Sequence, residues 1–345
     1  MESRGCRTAW FRAWRRGMGA CAGGVRGRMA LQLVMVAMVV LLLTSLALFT
    51  LDISPSFTKV LMKMEDLEGA MKDRLSVDVV STRHSAVDDV VVSLEQIMKA
   101  PVSLNQDDSR LIQRIRAKYL LPPSTQPYSL SSSNSDPSMG QSKQIRLILG
   151  DKVKEGGFFV ECGALDGETR SNTLVFEKEY GWRGVLIEGD PKNFELVRRK
   201  NRRAWAVNGC LSTSPYPNVV MFKQSFNVGK ISNLETGQNK TGYAEVQCLP
   251  LYSILLALNT TTVDYFSLDV EGAEMRVLKT IPWDKVNIKT LSVEFIHGGE
   301  GKDALRRYME GRGYRVFSEV THPGWLANDF IFAKKELLAN RPEST

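Results

Sequence analysis

Residues able to do chemistry gather in two stretches. The first runs Gly157-Phe-Phe-Val-Glu161-Cys-Gly163-Ala-Leu-Asp166-Gly167-Glu, continues through Ser171-Asn172-Thr-Leu, and ends in Gly184-Val-Leu-Ile-Glu188-Gly-Asp190-Pro191. The second, Val263-Asp-Tyr-Phe-Ser-Leu-Asp269, again brings an apolar run to an acid, and Val-Glu271-Gly-Ala-Glu274 follows it. Gly163 and Gly167 let the backbone turn sharply and approach a ligand closely. An acid ending a buried strand beyond such a turn accepts hydrogen bonds from ribose hydroxyls, which is the work open to Glu188. The GxxxG spacing lacks the full dinucleotide fingerprint, and no Lys-Ser/Thr pair follows it to grip phosphate. A ligand with a ribose and an adenine but no pyrophosphate fits better, and S-adenosylmethionine is the candidate. The alternative is that the two glycines only shape a tight turn.

These residues need a sheet to hold them. Residues 158–160 and 185–187 read as short buried parallel strands, with helical composition over 172–180 between them. A basic helix over 193–203, a third strand over 204–211, a polar insertion over 215–242 and an alternating strand over 243–249 come next. Then follow a short helix (252–258), a fourth buried strand (263–269), its return helix (271–279), a fifth strand (288–295), a helix (303–312) and a closing pair of strands (314–319 and 329–334). Strands alternating with helices and ending in two adjacent strands predict an α/β fold, a seven-stranded doubly wound sheet. The basic run over 198–203 reads as a solvated helix face rather than a seat for an acidic partner.

The first 28 residues hold seven Arg against Glu2, a net charge of +6 within a chain total of +7. The basic character therefore belongs to this tail and gives no reason for the folded domain to bind nucleic acid. Residues 29–51 carry no charge, are long enough to span a bilayer as a helix, and exceed a signal-peptide core. With the Arg-rich flank on the N-terminal side, the expectation is a single-pass type II signal anchor, the tail cytosolic and the bulk luminal or outside. Residues 52–140 read as a luminal stem and linker. Val60, Met64, Leu67 and Met71 form an amphipathic stripe that lasts too few heptads for a coiled coil, so packing on its own domain is the preferred reading. His84 is expected to be solvated. Asp107 and Asp108 precede Leu111, Ile112, Ile115 and Tyr119, a capped helix that Pro122 and Pro123 stop. The Ser/Pro-rich 124–140 reads as a flexible linker, 141–335 as the domain and 336–345 as a tail.

Cys6 and Cys21 are cytosolic in this topology, while Cys162, Cys210 and Cys248 are luminal. Cys210 and Cys248 end consecutive strands and can form a disulfide in an oxidising compartment, with Cys162 a buried thiol in the glycine turn. Asn239-Lys-Thr and Asn259-Thr-Thr are glycosylation sequons in expected loops. No Cys/His cluster has zinc spacing, and no metal is expected.

Residues 159–168, 185–191 and above all Ser267-Leu-Asp-Val-Glu-Gly-Ala-Glu274 resemble the FkbM-type methyltransferase domain over roughly 141–335. Arg110-Leu-Ile-Gln-Arg-Ile-Arg116, Tyr119-Leu-Leu-Pro-Pro-Ser124 and residues 162–173 resemble the Star proteins of arthropods, single-pass type II membrane proteins of the secretory pathway built on an FkbM-like domain. The first resemblance implies a Rossmann-like, class I methyltransferase sheet. It also implies that Glu161, Gly163, Asp166 and Gly167 line the methionine side of a cofactor pocket, with Asn172 at the opening of the first helix. Glu188 would hold the ribose, Asp190 lie just beyond it, and 210–212, including Ser212, pass the adenine. Asp269 and Glu271 would stand at the carboxyl end of the fourth strand. For O-methyl transfer the first candidate base is Asp269 and the second is His297.

Two functions follow, and the first ranks narrowly ahead. One is vesicle-mediated export of membrane-bound protein cargo, such as epidermal-growth-factor-type precursors, from the endoplasmic reticulum, Golgi or endosomal membranes, as the Star resemblance implies. The other is S-adenosylmethionine-dependent O-methylation of a glycan, lipid or protein hydroxyl. A luminal enzyme would need imported donor, and a fold can outlive its chemistry as a binding module.

Overall fold

The computed structural model describes residues 104–322, 324 and 327–339. The basic tail, the uncharged run, the amphipathic stripe and His84 lie outside the described residues. Among the described residues, no helix is long and apolar enough to cross a membrane.

Twelve strands are formed by the described residues. The first half comprises β1 (Leu120–Leu121), β2 (Phe158–Cys162), β3 (Arg183–Glu188), β4 (Trp205–Asn208), β5 (Cys210–Leu211) and β6 (Asn218–Lys223). The second comprises β7 (Lys230–Ile231), β8 (Tyr243–Leu249), β9 (Thr262–Leu268), β10 (Asn287–Glu294), β11 (Tyr314–Thr321) and β12 (Asn328–Lys334). They build an eight-stranded sheet of order β1-β4-β3-β2-β9-β10-β12-β11 and a four-stranded sheet of order β5-β8-β6-β7.

The middle of the large sheet, β4 to β10, is parallel, and β12 and then β11 close it antiparallel. Its strands are apolar on both faces because both faces are covered. Phe159, Leu186 and Tyr265 enter one hydrophobic cluster, while their neighbours Val160, Val185, Ile187 and Phe266 enter the other. Alternation along a pleated strand requires that division. From β2 the chain winds outward through β3 and β4, then returns to β9 on the other side of β2. The winding thus reverses between β2 and β9, and in open α/β sheets that reversal opens a ligand crevice at the carboxyl ends of the strands.

The structure departs from the expected seven strands in three places. The third predicted strand breaks at Gly209, where a Cβ would lie 2.6 Å from the Gln247 carbonyl oxygen. Gly209 lets the chain pass close to β8, so β5 and the predicted 243–249 strand belong to the second sheet instead of the first. The insertion over 215–242 is structured: it supplies β6 and β7, and β6 pairs antiparallel with β8. The 124–140 segment is not a free linker. Ser124 N donates to Arg202 O, Ser129 N to Lys200 O, and Ser131 N and Ser132 N to the Glu168 carboxylate. Ahead of it, β1 adds an antiparallel edge to β4.

Asp108 caps the helix Ser109–Arg114, accepting from Arg110 N at 2.9 Å, and π-helical Ile115–Tyr119 continues it. Cys210 and Cys248 face each other across the β5–β8 ladder, Cα atoms 4.3 Å apart, and are joined as a disulfide. Cys162 is a buried free thiol. Both sequon asparagines are exposed. Asn259 also accepts from Arg116 Nη2 at 2.6 Å.

Candidate cofactor site

A cavity of about 250 Å³ opens at the carboxyl ends of β2, β3, β9 and β10. Its floor is a contact between two loops. Gly163, at φ +87°, follows β2, and a Cβ there would fall 2.0 Å from the Asp269 carbonyl oxygen. The loop after β9 is held in turn by Glu274, whose carboxylate accepts from Val270 N and Gly272 N. Three non-glycine residues with left-handed backbones, Leu165, Arg170 and Glu271, all line this cavity. Strain of this sort persists only where surrounding structure enforces it, and it concentrates at binding sites.

On the β3 side, Glu188 is 5% exposed and accepts from Leu165 N at 2.8 Å and Asp190 N at 2.7 Å. Burial outweighs these amides and pushes its carboxyl up to about 7. Beside it rises an apolar wall of Leu211, Phe222, Phe226 and Ile231. Gly189 permits the closeness, since a Cβ there would lie 2.8 Å from the Phe222 ring.

On the β9 and β10 side, the cavity is acidic. Asp269 is open to the cavity although protein surrounds it. Desolvation, then Asp329, Glu271 and Glu274, raise its carboxyl well above the usual range. Glu294 is raised in the same way, by burial first and by Asp269 next. Asp329, brought opposite Glu294 by the β10–β12 register, is pushed to about 6, chiefly by burial. His297 Nδ1 lies 3.0 Å from Glu271 Oε2 and 2.8 Å from Glu294 Oε1.

Of the residues named from sequence, Glu161, Gly163, Asn172, Glu188, Asp269, Glu271 and His297 line this one cavity. Glu161 is largely committed: it accepts from Ser171 Oγ, Asn172 N and Thr173 Oγ1, fixing the entry of the helix Leu174–Tyr180. Asp166, Gly167, Asp190 and Ser212 are not among the residues lining the cavity, and each makes contacts that shape its own loop. Asp166 accepts from Glu168 N and Thr169 N, and Gly167 turns at φ +82° with its carbonyl taken by Arg202. Asp190 caps the helix Pro191–Arg199, and Ser212 donates to Tyr216 O.

Sequence reasoning missed Gln141, Arg170, Glu294 and Asp329, all on the wall. Gln141 donates to Asp329 Oδ2 at 2.9 Å, a contact 188 residues apart in sequence. Only the acid ending the fifth strand, Glu294, carried a readable signal, the same one that singled out Glu188. Buried Gln141 Oε1, Asn172 Oδ1 and Glu294 Oε2 have no hydrogen-bond partner, so polar atoms with unmet capacity line the space.

Residues 161–316 match the family model described as "Methyltransferase FkbM domain". Among solved structures, the chain is similar to methyltransferase FkbM from Methylobacillus flagellatus KT, at 14% identity over 65% of this chain and 53% of that one, TM-score 0.36. It is also similar to a putative RNA methyltransferase from Pyrococcus horikoshii, at 11% identity over 66% of this chain and 98% of that one, TM-score 0.32. A third is the Burkholderia thailandensis 1,6-didemethyltoxoflavin-N1-methyltransferase, with 1,6-didemethyltoxoflavin and S-adenosylhomocysteine bound, at 13% identity, 56% and 77% coverage and TM-score 0.29. The chain thus spans about half the length of the first of these. No curated protein matches the chain.

Proposed function

We propose that the domain binds S-adenosylmethionine and transfers methyl to an oxygen acceptor. The observation that carries this reading is the joining, in one cavity, of a buried strand-end carboxylate beside an apolar wall with a separate carboxylate, Asp269, open to the same space. The residues present fit the cofactor. Glu188 is a ribose acceptor, Phe222 and Leu211 are apolar surface for adenine, and Asn172 Oδ1 and Gln141 Oε1 are unused acceptors for an ammonium. Arg170 on the same wall is a cation for a carboxylate. When bound, the cofactor supplies an electrophilic methyl group on a sulfonium. The chain's own part is to exclude water, align the acceptor hydroxyl and take its proton. Asp269, whose carboxyl burial and the neighbouring acids raise well above the usual range, is placed for that proton. His297 is less suited, because Glu271 and Glu294 already engage its Nδ1. Calorimetric titration of the purified full chain with S-adenosylmethionine tests the reading: saturable binding supports it, and its absence at millimolar donor rejects it.

A second reading keeps the domain as a cargo-binding export factor of the early secretory pathway, anchored as a type II membrane protein. The Star resemblance and the uncharged 29–51 run favour it, and the Cys210–Cys248 disulfide suits an oxidising lumen. Protease added to intact microsomes should then remove only the N-terminal tail, and digestion of the 141–335 domain from outside would sink this reading.

A further inference from the structure

We propose that Glu271, Glu294 and His297 form a binding site for a divalent first-row transition cation at the acceptor side of the cavity. One ligand atom from each lies within 4.8 Å of the others, around the point where β10 ends. Glu294 ends β10, and Glu271 and His297 lie on two loops that the fold locks together. A Cβ on Gly272 would sit 2.8 Å from the His297 carbonyl oxygen, so the Glu271 loop rests directly on the His297 loop. The convergence is therefore a property of the backbone packing and not of flexible surface side chains.

Hydrogen bonding does not satisfy this arrangement. A neutral His297 has one proton at most on Nδ1, yet two carboxylate oxygens, Glu271 Oε2 and Glu294 Oε1, lie within 3.0 Å of that nitrogen. A second, separate observation points to a ligand. The Glu294 residue is 8% exposed, and its other oxygen, Oε2, is enclosed without any partner. A buried carboxylate oxygen left unpaired is costly unless a cation or donor meets it. Asp269 and Glu274 stand within the same distance of Glu294 and add negative charge around the position. Their carboxylates are otherwise engaged: Glu274 holds backbone amides, and Asp269 is the proton acceptor of the proposed transfer.

The donor set selects among cations. Two carboxylates and an imidazole suit manganese, ferrous iron or zinc. Magnesium prefers oxygen ligands throughout and keeps its waters. With three protein ligands the ion retains open positions facing the cavity, as catalytic sites do. Those positions would take oxygen atoms of the acceptor, which points to a hydroxyl-bearing acceptor with a second oxygen nearby. This last step rests on the methyl-transfer reading; cation binding itself does not.

The test uses the purified full chain, the chloride of Mn²⁺ and no donor or acceptor. Free Mn²⁺ is followed by electron paramagnetic resonance. One saturable site per chain is expected, with Mn²⁺ raising the melting temperature. Glu294→Gln should weaken binding by at least about tenfold, since altering even outer partners of a ligand changes affinity by roughly 10–100-fold. Because Glu294 is buried and the variant can misfold, His297→Ala is the companion. That side chain is 44% exposed, so its loss leaves the core intact, and the same tenfold weakening is expected. The absence of saturable uptake by the wild type, or undiminished affinity in His297→Ala, overturns the proposal. Neither outcome bears on S-adenosylmethionine binding, so the two readings fail separately.

Discussion

Gly163 and Asp269 touch so closely that no side chain fits between them: an added Cβ would stand 2.0 Å from the Asp269 carbonyl oxygen. Asp269 N also donates to Cys162 O at 3.1 Å, so the two loops at the winding reversal are fixed to each other through backbone. The floor of the cavity is set by this contact, and the position of Asp269 on its wall is set with it.

Gly163→Ala should therefore be far worse than an ordinary glycine substitution. Gly181 has a left-handed backbone, φ +65° and ψ 23°, but nothing within 4 Å of its would-be Cβ. Gly181→Ala should cost about 1 kcal/mol, the left-handed penalty alone. Gly163→Ala adds a backbone clash and should cost roughly 3 kcal/mol or more. Urea unfolding of both variants checks this. Equal losses would show that the loops separate easily and that the floor is not rigid.

The parallel strands were legible in the amino-acid sequence because they are buried on both faces. Phe158 to Cys162 and Thr262 to Leu268 have no polar face to confuse with a helix or loop, and the acids closing such strands are few. That is why Glu188 and Asp269, which both line the cavity, stand out in the sequence. Glu161, Asp166 and Asp190 carry the same chemistry near the same glycines, yet the fold uses them mainly to hold backbone amides and hydroxyls. Local sequence does not distinguish a carboxylate facing a cavity from one facing its own loop. Gln141 and Asp329 were hidden for another reason: they meet only after β12 has folded back beside β10. The second sheet escaped notice because β6 and β7 are short and partly exposed, and their pairing depends on the break at Gly209.

The disulfide makes a covalent prediction. Peptide mapping without reductant should recover Cys210 linked to Cys248, with Cys162 alkylated only after unfolding, because it is buried. The bond closes a loop with a sequence separation of 38. Loop-entropy arguments give it about 3–4 kcal/mol as an upper figure, so the Cys210→Ser, Cys248→Ser double variant should lose up to that much. Recovery of both residues as free thiols from protein made in an oxidising compartment would reject the pairing.

Glu188 predicts a pH dependence with a defined sign. Its folded carboxyl is pushed up to about 7 by burial, from an ordinary 4.5. Below about 4.5 the group is protonated folded and unfolded alike. As pH rises through 7, the folded state must release a proton from a buried site, and the stability that the protonated form preserved is lost. The full effect is about 3 kcal/mol. Stability of the wild type relative to Glu188→Gln should thus fall between pH 5 and pH 8. Ribose binding runs the opposite way, because the ionised carboxylate is the better acceptor. S-adenosylmethionine should bind roughly tenfold more weakly at pH 6 than at pH 8, following the ionised fraction. A flat affinity profile over that range would remove Glu188 from the ribose contact.

The last prediction separates chemistry from binding, and with it the two functional readings. Glu188→Ala removes a carboxylate able to accept two ribose hydroxyls, each charge-assisted bond contributing about 1.5–3 kcal/mol. S-adenosylmethionine affinity should fall by about ten- to a hundredfold or more. Leu165 N and Asp190 N lose their acceptor in the same variant, so melting must be measured beside it. Asp269→Asn keeps the volume and removes the base. It should leave donor affinity nearly unchanged and abolish methyl transfer to any accepted hydroxyl. If the chain supports export by catalysis, export of membrane cargo fails together with transfer in Asp269→Asn. If it acts as a cargo-binding module, export survives Asp269→Asn in a folded protein. Donor binding that is lost in Asp269→Asn, with folding intact, would contradict the assignment of Asp269 to the acceptor side, because the residue would then be holding the cofactor.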